Sequence, residues 1–141
     1  MSPVNVIAVT DCYADVIFVV DESSSVQSDN FQRVKSFLWA LVGRLDIDNG
    51  DVRVGLVTYS TVVDTAEAFN LNAHSSVTDV RLAILSLSYS IGSTNTHLVL
   101  RYVRTTMLTP AAGDRPDVPN VVAVVTDGQS TSPTLTQVCT T

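Results

Sequence analysis

Five apolar residues, Val16-Ile17-Phe18-Val19-Val20, stand in a row and give way at once to Asp21-Glu22-Ser23-Ser24-Ser25. An unbroken, mostly β-branched run offers no polar face to water, so it suits a strand covered on both sides, as in the middle of a parallel sheet. The abrupt change places Asp21, Ser23 and Ser25 at the carboxyl end of that strand, where open α/β sheets bind their ligands. The donors are hard oxygens without thiol or imidazole, a set that suits Mg²⁺, Mn²⁺ or Ca²⁺ rather than zinc or copper.

The remainder of the chain alternates strand and helix. Ser28-Asp29-Asn30 opens a helix in which Asp29 and Gln32 have capping-box spacing. Phe31, Val34, Phe37, Leu38, Leu41, Val42 and Leu45 form its apolar stripe, with Trp39 at the edge. Asp46 to Asp51 reads as a solvated turn, because a calcium loop would need glycine at its sixth position and glutamate at its twelfth. Val52 to Tyr59 is a strand with Val54, Leu56 and Val57 in the core. Val62 to Leu71 pairs back onto it as an antiparallel edge strand after the turn at Ser60-Thr61. Ser76 or Thr78 caps a second helix through Val80, Leu82, Ala83, Leu85 and Leu87. A polar loop, Ser90 to Thr96, precedes a third helix from His97 to Leu108, and Pro110 to Pro119 is an irregular surface loop. Val121 to Val125 then repeats the opening pattern and ends on Thr126-Asp127-Gly128.

At 141 residues the chain has room for one full core, and 45% hydrophobic with 16% charged residues reads as globular. The net charge of −6, without a basic run or face, argues against nucleic acid and anionic membranes and favours cations. No apolar run approaches the roughly 20 residues of a membrane span. Met1 to Thr10 lacks a basic leader and has too short an apolar core for a secretory signal. Cys12 and Cys139 either staple the two ends of the domain, a closure worth about 4–5 kcal/mol in the chain-entropy account, or are separate thiols.

Singly, a serine or aspartate after a strand caps the next helix, and Asp-Gly makes a turn. Together, two apolar strands each ending in aspartate, hydroxyls at +2 and +4 after the first, and a hydroxyl-rich loop opening a helix point to one convergent oxygen cluster. Asp21-x-Ser23-x-Ser25, Thr94 within Gly92-Ser93-Thr94-Asn95-Thr96, and Asp127 within Thr126-Asp127-Gly128 resemble the parts of the metal-ion-dependent adhesion site (MIDAS) of von Willebrand factor type A domains. The flanks Ala14 to Asp21 and Arg53 to Ser60 are similar to extracellular members such as matrilins and collagen-associated domains.

The resemblance runs from about Ala14 to Asp127. It implies a Rossmann-like, mainly parallel open sheet with one antiparallel edge strand and helices on both faces. It further implies a divalent ion, usually Mg²⁺, held by the hydroxyls of Ser23 and Ser25, by Thr94 directly or through water, and by Asp21 and Asp127 mostly through water. A carboxylate from a partner, such as collagen or another matrix glycoprotein, would complete the shell, and the protein would be extracellular and not an enzyme. Residues 1–13 would be a lead segment and 14–141 the domain. Relatives continue through two more strand–helix units, so the domain is expected to be truncated at its C-terminus, with Val121 to Val125 as an open edge able to self-associate. The tail has room for a loop and a helical turn at Leu135 to Val138.

Two enzyme classes fit the residues less well. Asp-based phosphoryl transfer requires a second acid and a basic group at a strand end, whereas the only lysine, Lys35, lies inside a helix. Serine hydrolysis would need a Gly-x-Ser-x-Gly elbow around Ser24 and a placed histidine, and neither His74 nor His97 stands out. A structural matrix module without metal-dependent binding is the remaining alternative. Glu22 is expected to face solvent, and His97 to be a solvated helix start beside the site.

Overall fold

The computed structural model describes residues 13–126. A Cys12–Cys139 staple, residues 1–12 of the lead segment, the 135–138 turn and Asp127 fall outside that range. Strand β1 (Ala14–Asp21) is buried from its second residue to its last, which its apolar run requires. It lies inside a four-stranded sheet of order β3-β2-β1-β4, with β2 (Val52–Tyr59), β3 (Val63–Phe69) and β4 (Asn120–Val125). β1 runs parallel to β2, from Ala14↔Val52 to Asp21↔Tyr59, and parallel to β4, from Asp15↔Asn120 to Val20↔Val125. β3 pairs antiparallel to β2 at the opposite edge, with a register irregularity between Leu56 and Thr58.

The two-residue period of β1 divides the core. Val16, Phe18 and Val20 face α1 (Ser28–Val42) and α2 (Val77–Leu85), meeting Phe31, Leu38, Val42, Val80 and Ile84. Ile17 and Val19 face α3 (Thr96–Tyr102) and the π-helical turn Val103–Met107 that extends it, meeting Val99, Val103 and Met107. Helices therefore cover both faces of a mainly parallel sheet, as the sequence implied. β4 is an edge strand among the described residues, and Val121, Val122 and Val124 are 45%, 38% and 38% exposed.

Several local expectations are corrected. No side chain caps α1; Gln27 takes that position at φ 69°, so the backbone leaving the preceding loop sets the start and the Asp29–Gln32 box does not form. Phe37 is 58% exposed, because the buried stripe runs through Phe31, Lys35, Leu38 and Val42 and Phe37 lies about 100° around the helix from Leu38. Lys35 belongs to that stripe because its Nζ donates to the carbonyls of Leu85 (2.9 Å) and Leu87 (2.8 Å), groups left open where α2 ends. Trp39 packs at the edge as expected, with Arg81 3.7 Å above its ring. Ser76 caps α2 by accepting from Asp79 N, and Leu82 and Leu85 of the expected stripe are exposed. The loop after the π-turn contains a short 3-10 turn, Pro110–Ala112, before it delivers Arg115 to Asp15.

Candidate functional site

Where β1 ends, Asp21 is 1% exposed and both carboxylate oxygens are engaged. Oδ1 accepts from Ser23 N at 2.8 Å, and Oδ2 accepts from the Thr126 hydroxyl at 2.8 Å. The first bond curls the chain back over the strand end and brings the next hydroxyls together: Ser23 Oγ and Ser25 Oγ are 3.1 Å apart. Ser23 is buried and Ser25 exposed, so the pair spans the boundary between protein and solvent. A cavity of ≈ 200 Å³ opens beside Asp21 and Ser25, walled by Val26, Val34 and Val125.

A second loop is locked against the first. Gly92 N donates to Ser24 Oγ (3.1 Å), Ser24 N donates to Gly92 O (2.9 Å), and the Tyr89 hydroxyl donates to Ser23 O (2.8 Å). On its other side, Ser93 N donates to Thr61 Oγ1, Asn95 Nδ2 to Thr61 O, and Asn95 N to Ser60 O. Thr94, 6% exposed, lies between these anchored neighbours. Gly92 is dictated by closeness: a Cβ there would stand 2.6 Å from Thr61 Oγ1 and 2.9 Å from Ser60 Oγ. Tyr59 and Thr96 share a buried hydroxyl pair at 3.1 Å beneath this loop.

The structure thus joins Asp21, Ser23 and Ser25 directly and fastens the loop carrying Thr94 beside them. Asp127 lies outside the described residues, but its neighbour Thr126 reaches Asp21. Thr126, Tyr89 and Ser24 were not singled out from sequence as parts of this cluster. A hydroxyl adjoining each strand-end aspartate was the available signal for Thr126.

Glu22 is a correction. It is 1% exposed rather than facing solvent, because its backbone N–H continues the sheet pairing to Tyr59 O and turns the side chain inward toward β3. Burial first, then the negative charges of Asp64 and Glu67, raise its pKa from 4.5 to about 7. His97 is half-buried at the start of α3. Among the described residues no group of three or more His, Cys, Asp or Glu side chains is placed to hold an ion. A cation at this end of the sheet would meet the Ser23 and Ser25 hydroxyls beside the Asp21 carboxylate.

The family model of the von Willebrand factor type A domain matches residues 15–140. Over 119 residues the chain is 42% identical to the mouse (Mus musculus) collagen alpha-4(VI) chain, covering 83% of this chain and 5% of that protein. Against bovine (Bos taurus) matrilin-1 it is 39% identical over 118 residues, covering 82% of this chain and 21% of matrilin-1. It therefore spans a small part of the length of these relatives. Among solved structures it is similar to proximal thread matrix protein 1 from the mussel byssus with a zinc-occupied MIDAS motif. That match has a TM-score of 0.76 and 32% identity, and covers 85% of this chain and 32% of the other. With its motif order, its sheet and these matches in agreement, the chain belongs to the von Willebrand factor type A domain family, alongside domains of extracellular-matrix proteins.

Proposed function

We propose that the chain is a non-enzymatic adhesion or matrix-assembly module. It would bind a carboxylate of an extracellular protein partner through a divalent cation held by Asp21, Ser23, Ser25, Thr94 and Asp127. The observation that carries this reading is the Ser23–Ser25 hydroxyl pair, 3.1 Å apart beside the Asp21 carboxylate. Oxygens bound at 2.0–2.1 Å on neighbouring corners of an octahedral Mg²⁺ are about 2.9 Å apart, so a small rotation of either hydroxyl suits one ion. Asp21 has both oxygens committed to hydrogen bonds, which favours its acting through ordered water. Mg²⁺ is the favoured ion, with Mn²⁺ and Ca²⁺ as alternatives.

Hydroxyl ligands are neutral, so a bound cation would keep most of its field for an incoming carboxylate. Ser23 and Ser25 orient that open position, and the burial of Asp21 keeps its charge close to it. A non-enzymatic role is favoured because Lys35 is spent on the α2 carbonyls and Ser24 Oγ on the Gly92 N–H. The collagen and matrilin relatives favour an extracellular location and a matrix partner, whether collagen, another glycoprotein or a second copy of this chain.

The test is calorimetric titration with Mg²⁺, paired with binding to immobilised collagen in Mg²⁺ and in EDTA. Saturable Mg²⁺ binding that Ser23→Ala abolishes, with an unchanged circular dichroism spectrum, is expected. Undiminished partner binding in EDTA would overturn the reading, and a melt indifferent to metal would favour a purely structural module.

A further inference from the structure

The peptide unit between Ser23 and Ser24 is gripped at both ends by the segment that carries Thr94. Its carbonyl accepts from the Tyr89 hydroxyl at 2.8 Å, and its N–H donates to Gly92 O at 2.9 Å. This is the first of the two peptides that separate Ser23 from Ser25, whose hydroxyls stand 3.1 Å apart. Rotating it would swing Ser23 Oγ and Ser25 Oγ relative to one another, since Ser23 supplies its carbonyl and Ser25 lies one residue beyond its N–H. Tyr89 is itself braced: its ring packs, tilted by 42° with centroids 5.2 Å apart, against Phe31, which is fully buried in the first turns of α1. The phenol is therefore held by the core and aimed at a main-chain carbonyl of the loop, not at solvent.

We infer that Tyr89 is a positioning residue for the cation site, fixing the spacing of the Ser23 and Ser25 hydroxyls through the Ser23–Ser24 peptide. This rests on the proposed cation-binding reading. Its consequence is selectivity as well as affinity. Mg²⁺ demands near-ideal octahedral geometry at 2.0–2.1 Å, whereas Ca²⁺ accepts 2.3–2.6 Å and irregular shells. A hydroxyl pair free to spread therefore penalises Mg²⁺ more than Ca²⁺. The same grip ties Thr94 to the pair, because Gly92 cannot move away without breaking its bonds to Ser24.

The experiment titrates Mg²⁺ and Ca²⁺ into the full chain and into Tyr89→Phe, which keeps the ring on Phe31 and removes only the hydroxyl. Ser76→Ala, which removes the α2 cap far from the site, controls for general loss of stability. Tyr89→Phe is expected to weaken Mg²⁺ about five-fold, the loss of one ordinary hydrogen bond, and Ca²⁺ less, so that the Mg²⁺ to Ca²⁺ preference falls. Ser76→Ala is expected to melt earlier with unchanged Mg²⁺ affinity and preference. Wild-type Mg²⁺ affinity in Tyr89→Phe would overturn the positioning role and leave the cation site standing. Equal losses in Tyr89→Phe and Ser76→Ala would also overturn it, and no Mg²⁺ binding by the unmodified chain would overturn both readings.

Discussion

Arg115→Ala removes a clamp at the end of the sheet opposite the candidate site. Arg115 donates from Nε to Asp15 Oδ1 (2.9 Å) and from its backbone N to Oδ2 (2.7 Å). Its remaining nitrogens reach the carbonyls of Gly50 (2.8 Å), Ala14 (3.1 Å) and Asp51 (3.0 Å). One side chain thus ties the loop before β4 to the start of β1 and to the turn before β2. The Asp15 side chain is fully buried and that of Arg115 22% exposed, so the variant strands a carboxylate in the interior with a single backbone donor. Removing one partner of a buried pair costs roughly 3–5 kcal/mol. The retained N–H bond and the partial exposure of the guanidinium place the expected loss at the lower end, about 3 kcal/mol.

Urea denaturation in EDTA measures that loss without any contribution from bound metal. For a domain of this size the same loss lowers Tm by about 10 °C. A double variant, Asp15→Asn with Arg115→Met, is expected to recover part of the loss, because it no longer buries an unpaired charge. A loss below about 1 kcal/mol in Arg115→Ala would refute the reasoning, since the pair would then behave as an exposed one.

Lys35→Met keeps the aliphatic packing on α1 but leaves the Leu85 and Leu87 carbonyls without their cation; it is expected to cost about 2 kcal/mol in the same urea assay, and a neutral result would refute it. Glu22 adds a pH dependence: its folded pKa of about 7 lies above the ordinary 4.5, so its contribution is full below pH 4.5 and is lost as pH rises through 7. Glu22→Gln in EDTA is expected to flatten the fall in unfolding free energy between pH 5 and 7.5, by about 1–2 kcal/mol after allowance for screening, and an unaltered pH slope in urea denaturation would refute it.

Strands were the most legible part of this chain. β1 and β4 announce themselves as apolar runs followed closely by aspartate, and the antiparallel edge follows from the short polar turn at Ser60-Thr61. The order of elements along the chain thus emerges from periodicity, whereas the open sheet with helices on both faces was what the family resemblance implied. Asp21, Ser23 and Ser25 were legible for a related reason: they are adjacent in sequence, and the strand end dictates where they go. What periodicity could not give was the fate of long polar side chains. Lys35 sits on the core-facing stripe because two carbonyls, fifty residues away in the chain, await a donor. Glu22, a charged residue between site residues, reads as exposed until the Tyr59 carbonyl is seen to fix its backbone and turn it inward. Both depend on tertiary neighbours that no local pattern encodes.

β1 is held at both ends by carboxylates with different tasks. Asp15 at its start is buried against a guanidinium that binds three main-chain carbonyls, an arrangement that opposes separation of the strands. Among the described residues, Asp21 at its end accepts from neutral donors, Ser23 N and the Thr126 hydroxyl, and is paired with no cationic side chain. A fully paired carboxylate has little field left to offer a ligand, whereas one held by neutral dipoles keeps its own. Electrostatic stabilisation and electrostatic function are therefore separated along one strand. It follows that changes at Asp15 should alter stability with little effect on cation affinity in the fraction that remains folded. Asp21→Asn should do the reverse, because it keeps an acceptor oxygen among these neutral partners while depriving the hydroxyl pair of its anionic neighbour.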